Sequence, residues 1–227
     1  MIKLFMRWVL NLVISREEGL EFDPWKEIPF TYNEYGKPLL PYKFQFNQTS
    51  SNDLISIAID FHGDPIGIDL SHSQQAVSSQ GFMEQFQGIF GESEICQLME
   101  IEDISQRYIV FNQFWTLKEA FTKLIGTGLN VDLSKFQFDL HKQHVEPGTE
   151  VNFQEIGEFT RLWKQSDVDY TDLNHPAVSQ ISKKPYCWSS IVINGQLPVI
   201  LSVISLSADV PVNYTVNLLP FLAENAP

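Results

Sequence analysis

Cysteine is scarce in this chain of 227 residues: only Cys96 and Cys187 occur, far apart and outside any C-x-x-C pair. That excludes a zinc knuckle, an iron–sulfur centre and a disulfide framework, and makes a reducing, cytoplasmic compartment the expectation. Basic residues are also few, 15 against 28 acidic ones, for a net charge of −13. A general nucleic-acid binder needs the opposite sign over a broad surface, so no nucleic-acid partner is expected. No apolar run approaches bilayer-spanning length, which excludes a membrane-spanning helix as the expectation. The phosphate-binding G-x-x-x-x-G-K-[ST], the zinc-binding H-E-x-x-H, the nucleophile elbow G-x-S-x-G and the dinucleotide fingerprint G-x-G-x-x-G are all missing. His141 and His144 have no third candidate ligand nearby in sequence, so they read as surface histidines.

What is present is a globular composition, 44% hydrophobic with 17 Phe and 5 Trp, enough to bury a core of one large or two small domains. Residues 1–14 place charge ahead of apolar residues as a signal peptide does. Arg7 and Asn11 interrupt the apolar stretch, however, and no small-x-small cleavage site follows. Residues 5–14 therefore predict an amphipathic helix. Pro24, Pro29, Gly36, Pro38 and Pro41 then enforce loop and extended chain. Residues 54–60 and 66–70 read as strands joined by a turn at Gly63-Asp64-Pro65, and 81–100 as a helix after a polar loop.

The clearest helix covers 106–125, where Phe114, Leu117, Phe121, Leu124 and Ile125 mark one apolar face and Gly126 stops it. Strands follow at 136–140, 187–193 and 198–205, the last two as a hairpin about Asn194-Gly195. A strand hairpin with a helix in each half suggests an α+β fold of two similar units.

Two segments carry chemistry. Asp69 ends a predicted strand in which Gly67 permits close approach by backbone or ligand. In the long helix, Trp115, Glu119 and Lys123 lie four apart and so share a face, projecting an acid and a base toward one place. Taken alone, Glu119 and Lys123 read as a solvated pair of about 0.3–0.5 kcal/mol.

The runs Ile66-Gly67-Ile68-Asp69-Leu70 and Phe114-Trp115-Thr116-Leu117-Lys118-Glu119-Ala120-Phe121-Thr122-Lys123, followed by Gly126-Thr127-Gly128-Leu129, resemble the signature of the 4′-phosphopantetheinyl transferase family. Upstream, Tyr35-Gly36-Lys37-Pro38 and Phe46-Asn47-Gln48-Thr49 resemble two further family elements in the expected order. The nearest branch by these motifs is the eukaryotic, lysine-pathway kind that modifies aminoadipate reductase. The resemblance implies two α/β halves related by a pseudo-two-fold axis, with coenzyme A held between them. The halves would be residues 1–64, shortened because relatives carry several dozen residues before the first helix and an arginine expected near Tyr32 is missing, and residues 65–227.

The implied reaction moves the phosphopantetheine arm of coenzyme A onto a serine of an acyl or peptidyl carrier protein. Carried over, Asp69 and Glu119 become ligands of Mg2+, an ion that prefers carboxylate, phosphate oxygen and water. Lys118 and Lys123 meet phosphate oxygens, and Glu119 takes the serine proton, with Glu94 a second candidate base whose plainer reading is a solvated helix carboxylate. Lys37 grips the 3′-phosphate, and Asn47, Thr49 and Ser50 line the nucleotide region.

The chain departs from the family pattern at Thr49-Ser50, where many relatives have Ser-His, and at Ser71, where many have a second acid. The net negative charge opposes encounter with an acidic carrier, so a local patch of Lys118, Lys123, Lys135 and Lys142, with Phe82, Met83 and Phe86, is the expected contact. Two rival readings use the same residues: a catalytically inactive relative acting as a binding protein, and an unrelated metal-dependent phosphohydrolase.

Overall fold

A computed structural model describes residues 2–52, 54–72, 88–152, 157–194 and 197–216. The first helix, α1 (Ile2–Glu18), is longer than its predicted apolar stripe. It buries Leu10 and Ile14 against Ile28, Leu40, Phe44 and Phe46. Asn11, polar but buried in the same face, donates from Nδ2 to the carbonyls of Pro24 and Lys26 and so ties the following loop to the helix. Two short strands, β1 (Thr31–Tyr32) and β2 (Pro38–Leu39), pair antiparallel.

Strand β4 (Leu54–Asp60) falls where alternation predicts it, but its ladder partner is β3 (Gln45–Ser51), a strand the sequence pattern leaves unassigned. The expected hairpin between 54–60 and 66–70 does not form. Asp60 Oδ1 accepts from the amides of His62 and Asp64, closing a turn that redirects the chain. Strand β5 (Ile66–His72) instead pairs antiparallel with β9 (Leu197–Ser205), setting Asp69 opposite Ser202.

Helices α2 (Glu92–Met99) and α3 (Ile104–Ile125) follow. Of the helix expected at 81–100, only its C-terminal part is α2; residues 81–87 lie outside the described residues. Asp103 caps α3 by accepting from the Gln106 amide, and Gly126 ends it in the left-handed region at φ 77°. The apolar stripe behaves as the spacing predicts: Phe111, Phe114, Leu117, Ala120, Phe121, Leu124 and Ile125 are all buried in one core with Phe136, Phe138 and Ile204.

The remaining strands are β6 (Gln137–Asn152), β7 (Gly157–Asp169), β8 (Tyr186–Asn194) and β10 (Asn213–Thr215). With β9 and β5 they make a six-stranded sheet in the order β10-β6-β7-β8-β9-β5. The β8–β9 hairpin is as expected, its ladder closing at Asn194 and Leu197. The long β6–β7 hairpin is not, since only 136–140 read as strand. Residues 141–148, most of them polar and exposed, hide the period-two signal, and the register shifts between Asp139 and His144. Among the described residues no helix is long and apolar enough to cross a membrane.

Gly67 sets the distance between β5 and α3. A Cβ there would fall on the backbone carbonyl of Ala120, a neighbour that can yield only if the helix moves. Gly67→Ala is therefore expected to lower stability by about 3 kcal/mol or more, as measured by urea unfolding. A variant with wild-type stability would show that the strand and the helix do not meet this closely.

Candidate active site

Alternation along β5 turns Gly67, Asp69 and Ser71 to one face, the face that α3 covers. Gly67 lies against Ala120, and Ser71 Oγ donates to Asn112 Oδ1 at 2.8 Å. Between them Asp69 meets Lys123, whose Nζ donates to Asp69 Oδ1 at 2.7 Å and to the Ile68 carbonyl at 3.2 Å. Thr49 Oγ1, from β3, donates to the same oxygen at 2.9 Å. Asp69 is thus a buried carboxylate with both donors on one oxygen. Burial pushes its pKa up, opposed by the charge and hydrogen bond of Lys123.

Glu119 sits one turn before Lys123 on α3 and is half-buried. Its pKa is also pushed up, first by burial and then by the negative charge of Asp69, with Lys123 opposing. The acid on the strand and the acid on the helix therefore feel each other's charge. Lys123 pairs across to Asp69 instead of forming the solvated pair with Glu119 that spacing alone suggests.

Whether this pair suits a magnesium ion can be judged from its donors. Two partly desolvated carboxylates, each destabilised by burial and the second by the first, call for a cation, and hard oxygen donors suit magnesium. Among the described residues no group of three His, Cys, Asp or Glu is placed to hold a metal. A pair of carboxylates is what magnesium ordinarily takes when phosphates and water complete its shell, whereas zinc ordinarily takes three or four protein ligands.

A cavity of about 250 Å3 opens beside this group, lined by Tyr35, Lys37, Asn47, Lys123, Gly126 and Gly128 among others. It brings the Tyr35–Pro38 and Phe46–Gln48 elements to the end of α3. Not every side chain expected to bind the nucleotide points into it. Lys37 Nζ donates to the carbonyls of Lys123 and Leu124, Asn47 Nδ2 approaches the Lys123 carbonyl at 3.4 Å, and Thr49 serves Asp69. Ser50 is exposed.

The expectation that Lys118 meets phosphate oxygens is corrected. Its side chain is wholly buried, and Nζ is held by Glu94 Oε2 at 2.8 Å and by the carbonyls of Leu133 and Phe136 at 2.7 and 2.6 Å. With three donors and three partners, none is left for a ligand. Glu94 is corrected with it, being no solvated carboxylate but a fully buried one, whose Oε2 and Oε1 also accept from the amides of Gly91 and Phe138. Lys118 also drops out of any surface patch. Phe82, Met83 and Phe86 lie outside the described residues.

Asn33 is the residue that sequence reasoning passed over. Its Oδ1 accepts from the amides of Tyr35 and Lys37, while Nδ2 reaches the Gly126 carbonyl at 2.7 Å. An Asn three residues before a glycine is a turn signal, and it was legible at Asn33-Glu34-Tyr35-Gly36.

Comparison with known proteins bears on the same segments. The chain is 34% identical over 116 residues to the 4′-phosphopantetheinyl transferase gsp of Aneurinibacillus migulanus, covering 51% of this chain and 46% of that one. It is 31% identical over 136 residues to the 4′-phosphopantetheinyl transferase Sfp of Bacillus subtilis, covering 59% and 56%. To the human L-aminoadipate-semialdehyde dehydrogenase-phosphopantetheinyl transferase it is 28% identical over 178 residues, covering 71% and 55%. The chain spans about half the length of the curated relatives it matches. A family model described as the 4′-phosphopantetheinyl transferase superfamily matches residues 65–176. That stretch contains β5, α2 and α3 entire, and with them Asp69, Glu119 and Lys123. Residues 65–176 are thus similar to the 4′-phosphopantetheinyl transferase superfamily.

Proposed function

We propose that this chain transfers the 4′-phosphopantetheine arm of coenzyme A to a serine of an acyl or peptidyl carrier protein domain. The observation that carries the reading is the ion pair of Asp69 with Lys123, which lines the cavity at the end of α3, with Glu119 near enough to feel the charge of both. Asp69 and Glu119 would hold a magnesium ion, which supplies positive charge against the pyrophosphate when bound. The carrier serine Oγ bonds to the β-phosphorus, the bond from that phosphorus to the bridging oxygen breaks, and adenosine 3′,5′-bisphosphate leaves. Glu119, with its proton affinity raised by burial and by Asp69, is suited to take the serine proton. Lys123 holds its ammonium at the junction of Asp69 and the cavity, placed to counter charge that develops on the leaving phosphate.

Several finer assignments belong to the same proposal. The motifs place the chain with the eukaryotic lysine-pathway branch and its aminoadipate reductase substrate, a reading compatible with the human and yeast relatives named as L-aminoadipate-semialdehyde dehydrogenase-phosphopantetheinyl transferases, beside bacterial relatives of equal or greater similarity. A division near residue 64 into two halves is supported by the core beneath α1, whose described residues all precede 60, and by the core around α3, whose described residues all follow 88, while a third core joins Ala58 to Ile66, Ile68 and Leu201 across that boundary. The free thiols Cys96 and Cys187 suit a cytoplasmic setting.

The test is mass spectrometry of an apo carrier protein incubated with coenzyme A, magnesium and the chain. The expected result is a gain of one phosphopantetheine per carrier serine, abolished by chelation and reduced at least a hundredfold in Asp69→Ala. Undiminished transfer by Asp69→Ala would overturn the site. Coenzyme A binding by a folded wild-type chain with no transfer would assign it a binding role instead, and phosphate release from nucleotides without a carrier would assign it to hydrolysis.

A further inference from the structure

Helix α3 delivers both Glu119 and Lys123, and its last turn is held from outside. Four carbonyls at the end of a helix have no partner within it. Here Lys37 Nζ takes those of Lys123 and Leu124 at 2.7 and 3.1 Å, and Asn33 Nδ2 takes that of Gly126 at 2.7 Å. The two side chains belong to one tight loop. Asn33 Oδ1 accepts from the Lys37 amide at 2.8 Å, the Asn33 amide donates to the Lys37 carbonyl at 3.1 Å, and Gly36 turns the chain between them at φ 84°. Packing is close, since a Cβ on Gly126 would lie 2.9 Å from Asn33 Nδ2 and 3.1 Å from Lys37 Cδ. A lysine cation at a helix C-terminus is also favoured by the helix dipole.

We propose that Asn33 and Lys37 form a clamp that fixes the last turn of α3, so that Lys37 is a positioning residue for Lys123 and not a ligand of the coenzyme A 3′-phosphate. The proposal rests on the transferase reading above only for its activity readout. Burial lowers the Lys37 pKa to about 8. A neutral amine still carries two N–H groups, enough for both carbonyls, so the clamp persists in alkaline solution.

The test compares wild type, Lys37→Met and Asn33→Ala in the full chain, with coenzyme A and with 3′-dephospho-coenzyme A as donor. It also follows amide hydrogen exchange at Gly126 and Thr127, both of which donate to the Thr122 carbonyl. For Lys37→Met the expectation is a kcat about tenfold lower with both donors, and a KM for coenzyme A within twofold of wild type. The kcat/KM ratio between the two donors should be unchanged, and exchange at the two amides about tenfold faster. Lys37→Arg, which keeps the donors, should recover part of kcat. An unchanged kcat with a raised KM and a lost preference for the 3′-phosphate would make Lys37 a phosphate ligand and overturn the clamp. So would unchanged exchange in both variants. If Lys37→Met does not fold, Asn33→Ala, which loses only the Gly126 anchor, decides by the same readouts. If wild type transfers nothing, the transferase reading falls and exchange alone decides the clamp.

Discussion

Methionine in place of Lys118 is expected to cost about 3–5 kcal/mol of stability, the largest loss from any single side-chain truncation considered for this chain. The ammonium is wholly buried against Glu94, itself wholly buried, and lies 4.5 Å from the Phe136 ring centroid. Removing the lysine leaves a carboxylate inside the protein with no opposing charge. Burial already pushes Glu94 up and Lys118 down, each held back by the other's charge. In the variant Glu94 has only burial acting on it and the two amide bonds to oppose, so its pKa rises further. The sign follows. Relative to wild type, the deficit is largest at neutral pH and shrinks as pH falls through the raised Glu94 pKa, because a protonated Glu94 no longer carries an unpaired charge. Urea unfolding between pH 7 and pH 5 measures it. The double variant Lys118→Met with Glu94→Met should recover most of the loss, since exchanging a buried pair for apolar groups of similar size is commonly neutral or better. A single variant as stable as wild type at neutral pH would falsify the buried pair.

Glu119→Gln is expected to separate stability from activity. Transfer should fall by two orders of magnitude or more, because the amide neither accepts the serine proton nor offers a charged oxygen to a metal. Metal-free protein should meanwhile melt a few degrees higher. Glu119 has its folded pKa raised by burial and by Asp69, so its ionised form lowers stability at every pH above that raised value. Wild type regains this stability as pH falls through the folded pKa toward the unfolded one. The advantage of the variant should therefore be present at neutral pH and fade on acidification, as read by thermal unfolding in chelator. A variant that melts lower at pH 7 would show that Glu119 is a structural anchor and not a group held at a cost for function.

Some of this architecture was legible in the residues. The α3 stripe at spacings of three and four placed its helix within two residues at the N-terminus and at the correct glycine at the other end, because a strong periodicity and caps at both ends agree. β5 and the β8–β9 hairpin were legible for similar reasons. The Asp69 and Glu119 pair was legible only through family resemblance, since nothing local distinguishes Glu119 from any exposed helix acid.

Tertiary choices were what the pattern could not show. Glu94 and Lys118 each look like solvated helix charges, and only the packing of α2 against the chain after α3 makes them a buried pair. Lys37 reads, by resemblance, as the grip on the 3′-phosphate, but its fate depends on the end of a helix 86 residues away. β3 escaped notice because Gln45, Asn47, Gln48 and Thr49 are polar, although Asn47 and Thr49 are buried by contacts with the site.

Among the described residues the strand that bears Asp69 has one ladder partner, and that partner, β9, comes far downstream in the chain, with Asp69 opposite Ser202. During synthesis both β5 and α3 can be in free solution while β9, the ladder partner of β5, is not yet made. The sheet beside Asp69 is therefore completed late, after residues 197–205 have left the ribosome. Until then an unpaired β5 edge is exposed to other nascent chains, which makes this stretch the expected point of engagement for chaperones that bind incomplete sheets.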